Sequence, residues 1–166
     1  MKYLLVLFLV LGWFDVTLAQ DTQFWMLIID PDPQGTNLRE SPGGKVKRII
    51  APGRTDEEKY LRQVFVTGQQ DKWFSVQLLD GTIGWLHQSV LGTCAAVTKD
   101  RSCSLYQKPE YASGQLDLLE MDVPLLLLEV HGEWAKVRTA TNPVQEGWLP
   151  EECFFSNPWS NCYESK

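Results

Sequence analysis

Trp73-Phe74-Ser75-Val76, a turn at Asp80-Gly81 and then Gly84-Trp85-Leu86 is answered later in the chain by Trp134-Ala135-Lys136-Val137, a turn at Thr141-Asn142 and then Gly147-Trp148-Leu149. The shared order is Trp-x-x-Val, turn, Gly-Trp-Leu. Upstream, Leu38-Arg39-Glu40-Ser41-Pro42 has a counterpart in Leu105-Tyr106-Gln107-Lys108-Pro109, with Leu and Pro at the same spacing in both. The matched positions keep their order and differ in separation only by loop lengths, which predicts a duplicated unit of roughly 65 residues.

Working outward, each unit reads as short strands broken by turn residues. Residues 24–29 are apolar and end at Asp30-Pro31-Asp32-Pro33, a run that cannot continue a ladder. Residues 46–50 and 63–67 are candidate strands. Residues 73–79 and 82–86 flank Asp80-Gly81 as a hairpin, because that dipeptide tolerates the positive φ angles of a tight turn. In the second unit, 124–130 and 134–139 form a hairpin around His131-Gly132-Glu133. Residues 116–121 could pass as a helical turn, but a sustained 3.6-residue period is absent. The reading is all-β, with a first unit over 20–93 and a second over 94–166 that includes a C-terminal tail. The joint near 91–100 is too short and too apolar for a flexible linker, so the two units are expected to pack as a fixed pair. Between strands, 51–62 is a polar insertion. It reads as a solvated loop, or as a specificity loop presenting Tyr60 at its end.

Residues 1–19 stand apart. Lys2 precedes an apolar run, and Thr17 and Ala19 are small residues placed for cleavage before Gln20, which predicts a secretory signal peptide. The run is shorter than the ~20 apolar residues that span a bilayer, so no membrane insertion is expected after cleavage. The expected location is secreted or periplasmic. All four cysteines, Cys94, Cys103, Cys153 and Cys162, lie beyond the signal, which suits two disulfides in an oxidising compartment. Cys94 with Cys162 and Cys103 with Cys153 share one residue-number sum, as positions facing each other across an antiparallel pair do, and this favours nested pairing. Local pairing of Cys94 with Cys103 and of Cys153 with Cys162 remains open. Without a C-x-x-C pair, and with His87 and His131 far from zinc-ligand spacing, neither a metal nor another cofactor is expected.

The net charge of −6 repels phosphate backbones, and no basic cluster longer than Lys45, Lys47 and Arg48 offsets it, so nucleic acid is not an expected partner. The same charge would steer a cationic partner inward, although it is also an ordinary route to solubility.

The segment Asn37-Leu38-Arg39-x-x-Pro42, with Lys45-Val46, Trp73-x-x-Val76, Asp80-Gly81 and Gly84-Trp85-Leu86-His87, resembles the bacterial SH3 domain family. The second unit resembles it more loosely. The resemblance implies two tandem SH3-like, partly open β-barrels, of a kind found in exported and wall-associated proteins and often binding peptidoglycan peptides. The second unit departs from the pattern in having Tyr106 where the first has Arg39, and Pro150-Glu151-Glu152 where the first has His87-Gln88-Ser89. Ligand-binding residues are therefore carried only onto the first unit. The disulfides are not a hallmark of the family. They suggest that each small unit needs support beyond its core.

No catalytic motif is present: no Gly-x-Ser-x-Gly elbow, His-Glu-x-x-His pair or phosphate loop. A thiolate at Cys94 served by His87 would need a reduced cysteine, which the compartment opposes. Glu57-Glu58 and Glu151-Glu152 point apart on an extended chain and read as solubility features. What remains is recognition by aromatic side chains. Six tryptophans follow residue 19, more than small units can bury completely. Trp73 and Trp134 are expected in the core and Trp85 and Trp148 partly exposed, with Tyr60, Trp85 and His87 forming one ligand face. The expected function is non-catalytic binding of a peptidoglycan peptide or an envelope protein. The alternative is a periplasmic inhibitor or immunity protein that covers the cleft of a cationic hydrolase or toxin.

Overall fold

Along Trp73 to Leu78, apolar Phe74, Val76 and Leu78 alternate with Trp73, Ser75 and Gln77, and a strand sends alternate residues to opposite faces. The computed structural model, which describes residues 24–53 and 60–163, realises this pattern there, with Phe74, Val76 and Leu78 buried. The predicted signal segment and residues 54–59 of the polar insertion lie outside the described residues. The strands are β1 (Phe24–Ile28), β2 (Thr36–Arg39), β3 (Val46–Ile50), β4 (Arg62–Gln70), β5 (Trp73–Leu78), β6 (Ile83–His87), β7 (Leu91–Ala95), β8 (Ser104–Tyr106), β9 (Gln115–Leu118), β10 (Pro124–His131), β11 (Trp134–Thr139), β12 (Glu146–Pro150) and β13 (Phe154–Phe155). The only helical pieces among the described residues are three single turns of 3-10 helix. The protein is all-β, as its sequence predicts. Residues 116–121, ambiguous in sequence, supply most of β9.

All pairings are antiparallel and form one sheet in the order β3-β2-β6-β5-β4-β1-β7-β10-β11-β12-β8-β9, with β13 also on β7. The second half repeats the strand order of the first, reflected about the β1·β7 seam. Irregularities repeat too: a register shift at Val66/Gly68 in β4 matches one at Leu127/Glu129 in β10, and one at Leu38/Arg39 in β2 matches one at Leu105/Tyr106 in β8. The sheet is not closed into a barrel. In place of two tandem partly open barrels, the two halves are parts of one continuous antiparallel ladder.

The halves share β7. After the 3-10 turn Gln88–Val90, Leu91 and Gly92 pair with Ile28 and Leu27 of β1; after the 3-10 turn Glu151–Cys153, β13 returns to Cys94 and Ala95. The opposite edge of β7 pairs with β10. One strand thus ends the first half and begins the second, and the boundary expected between 93 and 94 falls inside it. Gln69 adds a cross-tie, its amide nitrogen donating to the Leu128 carbonyl and its oxygen accepting from the Val130 N–H.

The inner face carries a continuous buried cluster running from Phe24, Val64, Phe74 and Leu86 in the first half to Leu105, Leu127, Val137 and Leu149 in the second. This explains the repeated Gly-Trp-Leu. A Cβ at Gly84 would lie 2.6 Å from Leu38 Cγ, and one at Gly147 would lie 2.9 Å from Leu105 Cβ, so only glycine lets β6 and β12 cross β2 and β8 this closely. The following Trp points outward and the Leu inward. Trp73 and Trp134 do not occupy the core as expected. They share the outer face with Ser75 and Lys136, and the adjacent Phe74 and Ala135 are the buried residues.

The disulfides are Cys94–Cys162 and Cys103–Cys153, the nested pairing. The geometry differs from the one the arithmetic suggested: across the β7·β13 ladder Cys94 faces Phe155, and Cys162 reaches it from the tail. That tail, 156–163, covers the outer face at the joint between halves. The Leu61 N–H donates to the Pro158 carbonyl (2.8 Å), Ser156 Oγ lies 2.8 Å from Thr93 Oγ1, and the Tyr163 hydroxyl reaches the Thr93 and Leu125 carbonyls. Leu27, Leu61 and Cys94 form a second apolar cluster beneath Ile29, Cys162 and Tyr163. Burial holds the Tyr163 phenol well above its usual titration range.

Candidate binding faces

On the outer face of the first half, β5 and β6 place Trp73 opposite His87 and Ser75 opposite Trp85, while β2 places Arg39 opposite Trp85. The indole of Trp73 and the imidazole of His87 meet edge to face with centroids 5.1 Å apart, and the Arg39 guanidinium lies 5.6 Å from the Trp73 ring centroid. Arg39 is held there by donating to the Gly44 carbonyl at 2.6 Å. The result is a half-buried row of Arg39, Trp73, Trp85 and His87 in which the chain supplies its own cation to an aromatic ring. Part of His87 is structural: its Nδ1 accepts from the Ser89 N–H and caps the following 3-10 turn.

Tyr60 does not join this row. Trp73 and His87 lie at one end of the β5·β6 ladder, whereas Tyr60 precedes Arg62, which pairs with Ile28 at the other end of the first half. The tyrosine ring lies beneath the Arg62 guanidinium, 4.9 Å from the ring centroid, and packs in a tilted arrangement at 5.4 Å against Trp159 of the tail. It lines a separate cavity of about 340 Å³ together with Ile28, Ile50, Leu61 and Leu79. The expected three-residue face therefore reduces to Trp85 and His87, and gains Trp73 and Arg39. Alternation was the available signal, since Trp73 shares its parity with Ser75 and Gln77 and so falls on the polar face.

The second half builds the same row from different side chains. Tyr106 stands for Arg39, Trp134 for Trp73, Trp148 for Trp85 and Pro150 for His87, with Trp148 opposite Tyr106. Trp134 meets Tyr106 at 5.4 Å and Tyr111 at 4.8 Å, both edge to face. Tyr111, 60% exposed, donates its hydroxyl to a Glu152 carboxylate oxygen, and this bond holds the phenol up at about 12. At one end of the row Lys136 and Arg138 both pair with Glu146, whose carboxyl they hold below the usual range. At the other end sit Glu133, Glu151 and Glu152. Partial burial, and then the charges of Glu133 and Glu152, push the Glu151 carboxyl upward.

A raised native value means that the folded state favours protonated Glu151, so its penalty is absent below the unfolded carboxylate range and appears as pH rises through the folded value. Glu151→Gln is therefore expected to be slightly more stable than the parent at neutral pH, by roughly 0.5 kcal/mol or less because solvent screens the site. The difference should vanish near about pH 3. Urea unfolding at the two pH values checks this, and a neutral-pH loss would remove the repulsion from the account.

The cysteines bear on chemistry as well as stability. Cys94 is oxidised to Cys162, so it offers no thiolate for His87 to activate.

No protein-family model matches the chain, and no curated protein does. Among the solved structures similar to the chain are two from Trichomonas vaginalis. NlpC2 from Trichomonas vaginalis is 12% identical with a TM-score of 0.32, the match covering 81% of this chain and 48% of that one. NlpC1 from Trichomonas vaginalis is 12% identical with a TM-score of 0.31, covering 86% and 50%. The chain thus spans about half the length of each.

Proposed function

We propose that the protein is an exported, non-catalytic binding module that recognises a cell-wall peptide or an envelope protein partner, chiefly through the outer row of its first half. The observation that carries this reading is the recurrence of half-exposed aromatic rings at the same outer positions of both halves, while the inner face is already filled. A sheet face that needs rings only for packing has no reason to leave them outward twice. Flat apolar rings with a polar N–H suit grip on peptide or sugar. The resemblance of the first half to bacterial SH3 domains points the same way. Two disulfides suit an oxidising compartment, and among the described residues no helix is long and apolar enough to cross a membrane.

The test is capture of residues 20–166 on purified sacculi, with and without covalently attached proteins, which separates polymer from protein recognition. Trp85→Ala is expected to weaken capture by ~1–3 kcal/mol. Undiminished capture by that variant would count against the first row. A second reading, inhibition of a cationic hydrolase or toxin, is favoured by the carboxylates gathered beside Trp134. It calls for salt-dependent association with a basic enzyme instead of retention on sacculi.

A further inference from the structure

The two outer rows share a frame and differ in charge. Before the Trp that opens β5 stands Lys72, after His87 stand Gln88 and Ser89, and Arg39 lies over Trp73. At the equivalent places the second half has Glu133, then Glu151 and Glu152, and Tyr106. The first row holds its own cation against an indole, and the second has exchanged that cation for a ring and set carboxylates around it. Among the described residues no salt bridge engages Glu133, Glu151 or Glu152: Lys136 and Arg138 pair with Glu146 at the other end, and Arg101 donates to the Glu152 backbone carbonyl. Nor do the described residues contain a cluster of His, Cys, Asp or Glu that could hold a metal ion. The complementary group is therefore an organic cation whose apolar stem lies on the rings and whose charged head reaches the carboxylates.

We propose that the outer face of the second half, with Tyr111, Trp134 and Trp148 as its floor and Glu133, Glu151 and Glu152 as its rim, docks a segment of a partner protein that bears several lysine or arginine side chains. This rests on reading the outer rows as binding faces and adds the chemistry that the second one takes. A protein segment is favoured over the amine of a wall peptide because the rim offers three carboxylates, and a single amine would use one of them. The two rows are thereby assigned different work.

The experiment uses isotope-labelled residues 20–166 and, as probe, a peptide of alternating lysine and glycine, with a glutamate–glycine peptide as control. The indole N–H signals of Trp134 and Trp148 are expected to move with the lysine peptide while those of Trp73 and Trp85 stay in place. The triple variant Glu133→Gln, Glu151→Gln, Glu152→Gln should bind about tenfold more weakly and lose most of its salt dependence. Tyr111→Ala, at an exposed ring, is the second variant should the triple one perturb the fold, and it should weaken binding in the same direction. Shifts spread evenly over the acidic surface, shifts confined to the first row, or equal binding by the parent and both variants would overturn the proposal. Capture on protein-free sacculi that the triple variant alone loses would also overturn it, in favour of a wall amine. If Trp85→Ala loses sacculus capture while the lysine peptide leaves Trp134 and Trp148 unmoved, this inference fails and the proposed function stands. If the lysine peptide binds as expected and Trp85→Ala captures normally, the first-row reading fails instead.

Discussion

Gly92→Ala is expected to destabilise the protein by about 2–4 kcal/mol, a large effect for one methyl group. Gly92 sits in the shared strand, on the face that the tail covers. A Cβ there would lie 2.1 Å from the Tyr163 hydroxyl and 2.7 Å from the Leu125 carbonyl oxygen. The hydroxyl can move only by giving up its bonds to the Thr93 and Leu125 carbonyls, and the second contact is backbone of the neighbouring strand. Both the tail and the β7·β10 ladder must therefore shift. Tyr163→Phe removes the nearest obstacle while keeping the ring, so the double variant should lose less than the sum of the two singles. Urea denaturation of the four proteins measures this. A Gly92→Ala protein within about 0.5 kcal/mol of the parent would mean that the tail does not press on β7.

The second large effect is expected from Cys94→Ala with Cys162→Ala. The bridge closes a separation of 68 residues, for which the chain-entropy estimate is about 4 kcal/mol. That is comparable to the entire net stability of many small domains. The loss has a structural component as well, because Cys162 anchors the tail over Leu27 and Leu61 and the tail supplies the Pro158 carbonyl that accepts from the Leu61 N–H. Removing Cys103–Cys153, with a separation of 50, costs a similar entropy term but leaves that second apolar cluster covered. The Cys94–Cys162 variant is thus expected to melt lower than the Cys103–Cys153 variant. Thermal unfolding in the absence of reductant compares them, and the reverse order would refute the role given to the tail.

Much of this architecture was legible in the repeated words of the chain. Trp-x-x-Val and Gly-Trp-Leu marked the hairpins, and the spacing of Leu38 and Leu105 before their prolines marked the crossing strands, because each motif has a local cause: a tight turn, a close backbone approach, an inward leucine. The sharing of β7 was not legible. Nothing in Leu91-Gly92-Thr93-Cys94-Ala95 distinguishes a strand with one partner on each edge from one that serves two halves, since pairing partners are set by the whole sheet. The nested disulfides were anticipated from a numerical symmetry, yet the ladder aligns Cys94 with Phe155 and the tail supplies the sulfur partner.

The binding rows were half readable. Trp85 and Trp148 follow an inward glycine and precede an inward leucine, so their outward direction follows from strand alternation. The same rule applied to Phe74, Val76 and Leu78 turns Trp73 outward, against the usual tendency to assign the largest ring to the core. The approach of Arg39 to Trp73 and the gathering of Tyr106, Tyr111 and Trp134 join strands distant in sequence, and only the sheet order reveals them. Tyr60 was misplaced for the opposite reason. Its position after a polar loop suggested exposure on the ligand face, while Arg62 and the tail residue Trp159 hold it at the other end of the half.

The most direct test of recognition through the outer row is fluorine NMR of residues 20–166 carrying 5-fluorotryptophan, titrated with a soluble sacculus digest that retains its attached proteins. The account expects the resonances of Trp73 and Trp85 to move together while Trp25, packed on Phe65, and Trp159, packed on Tyr60, remain where they were. Movement of Trp25 and Trp159 with Trp73 and Trp85 unmoved would contradict it.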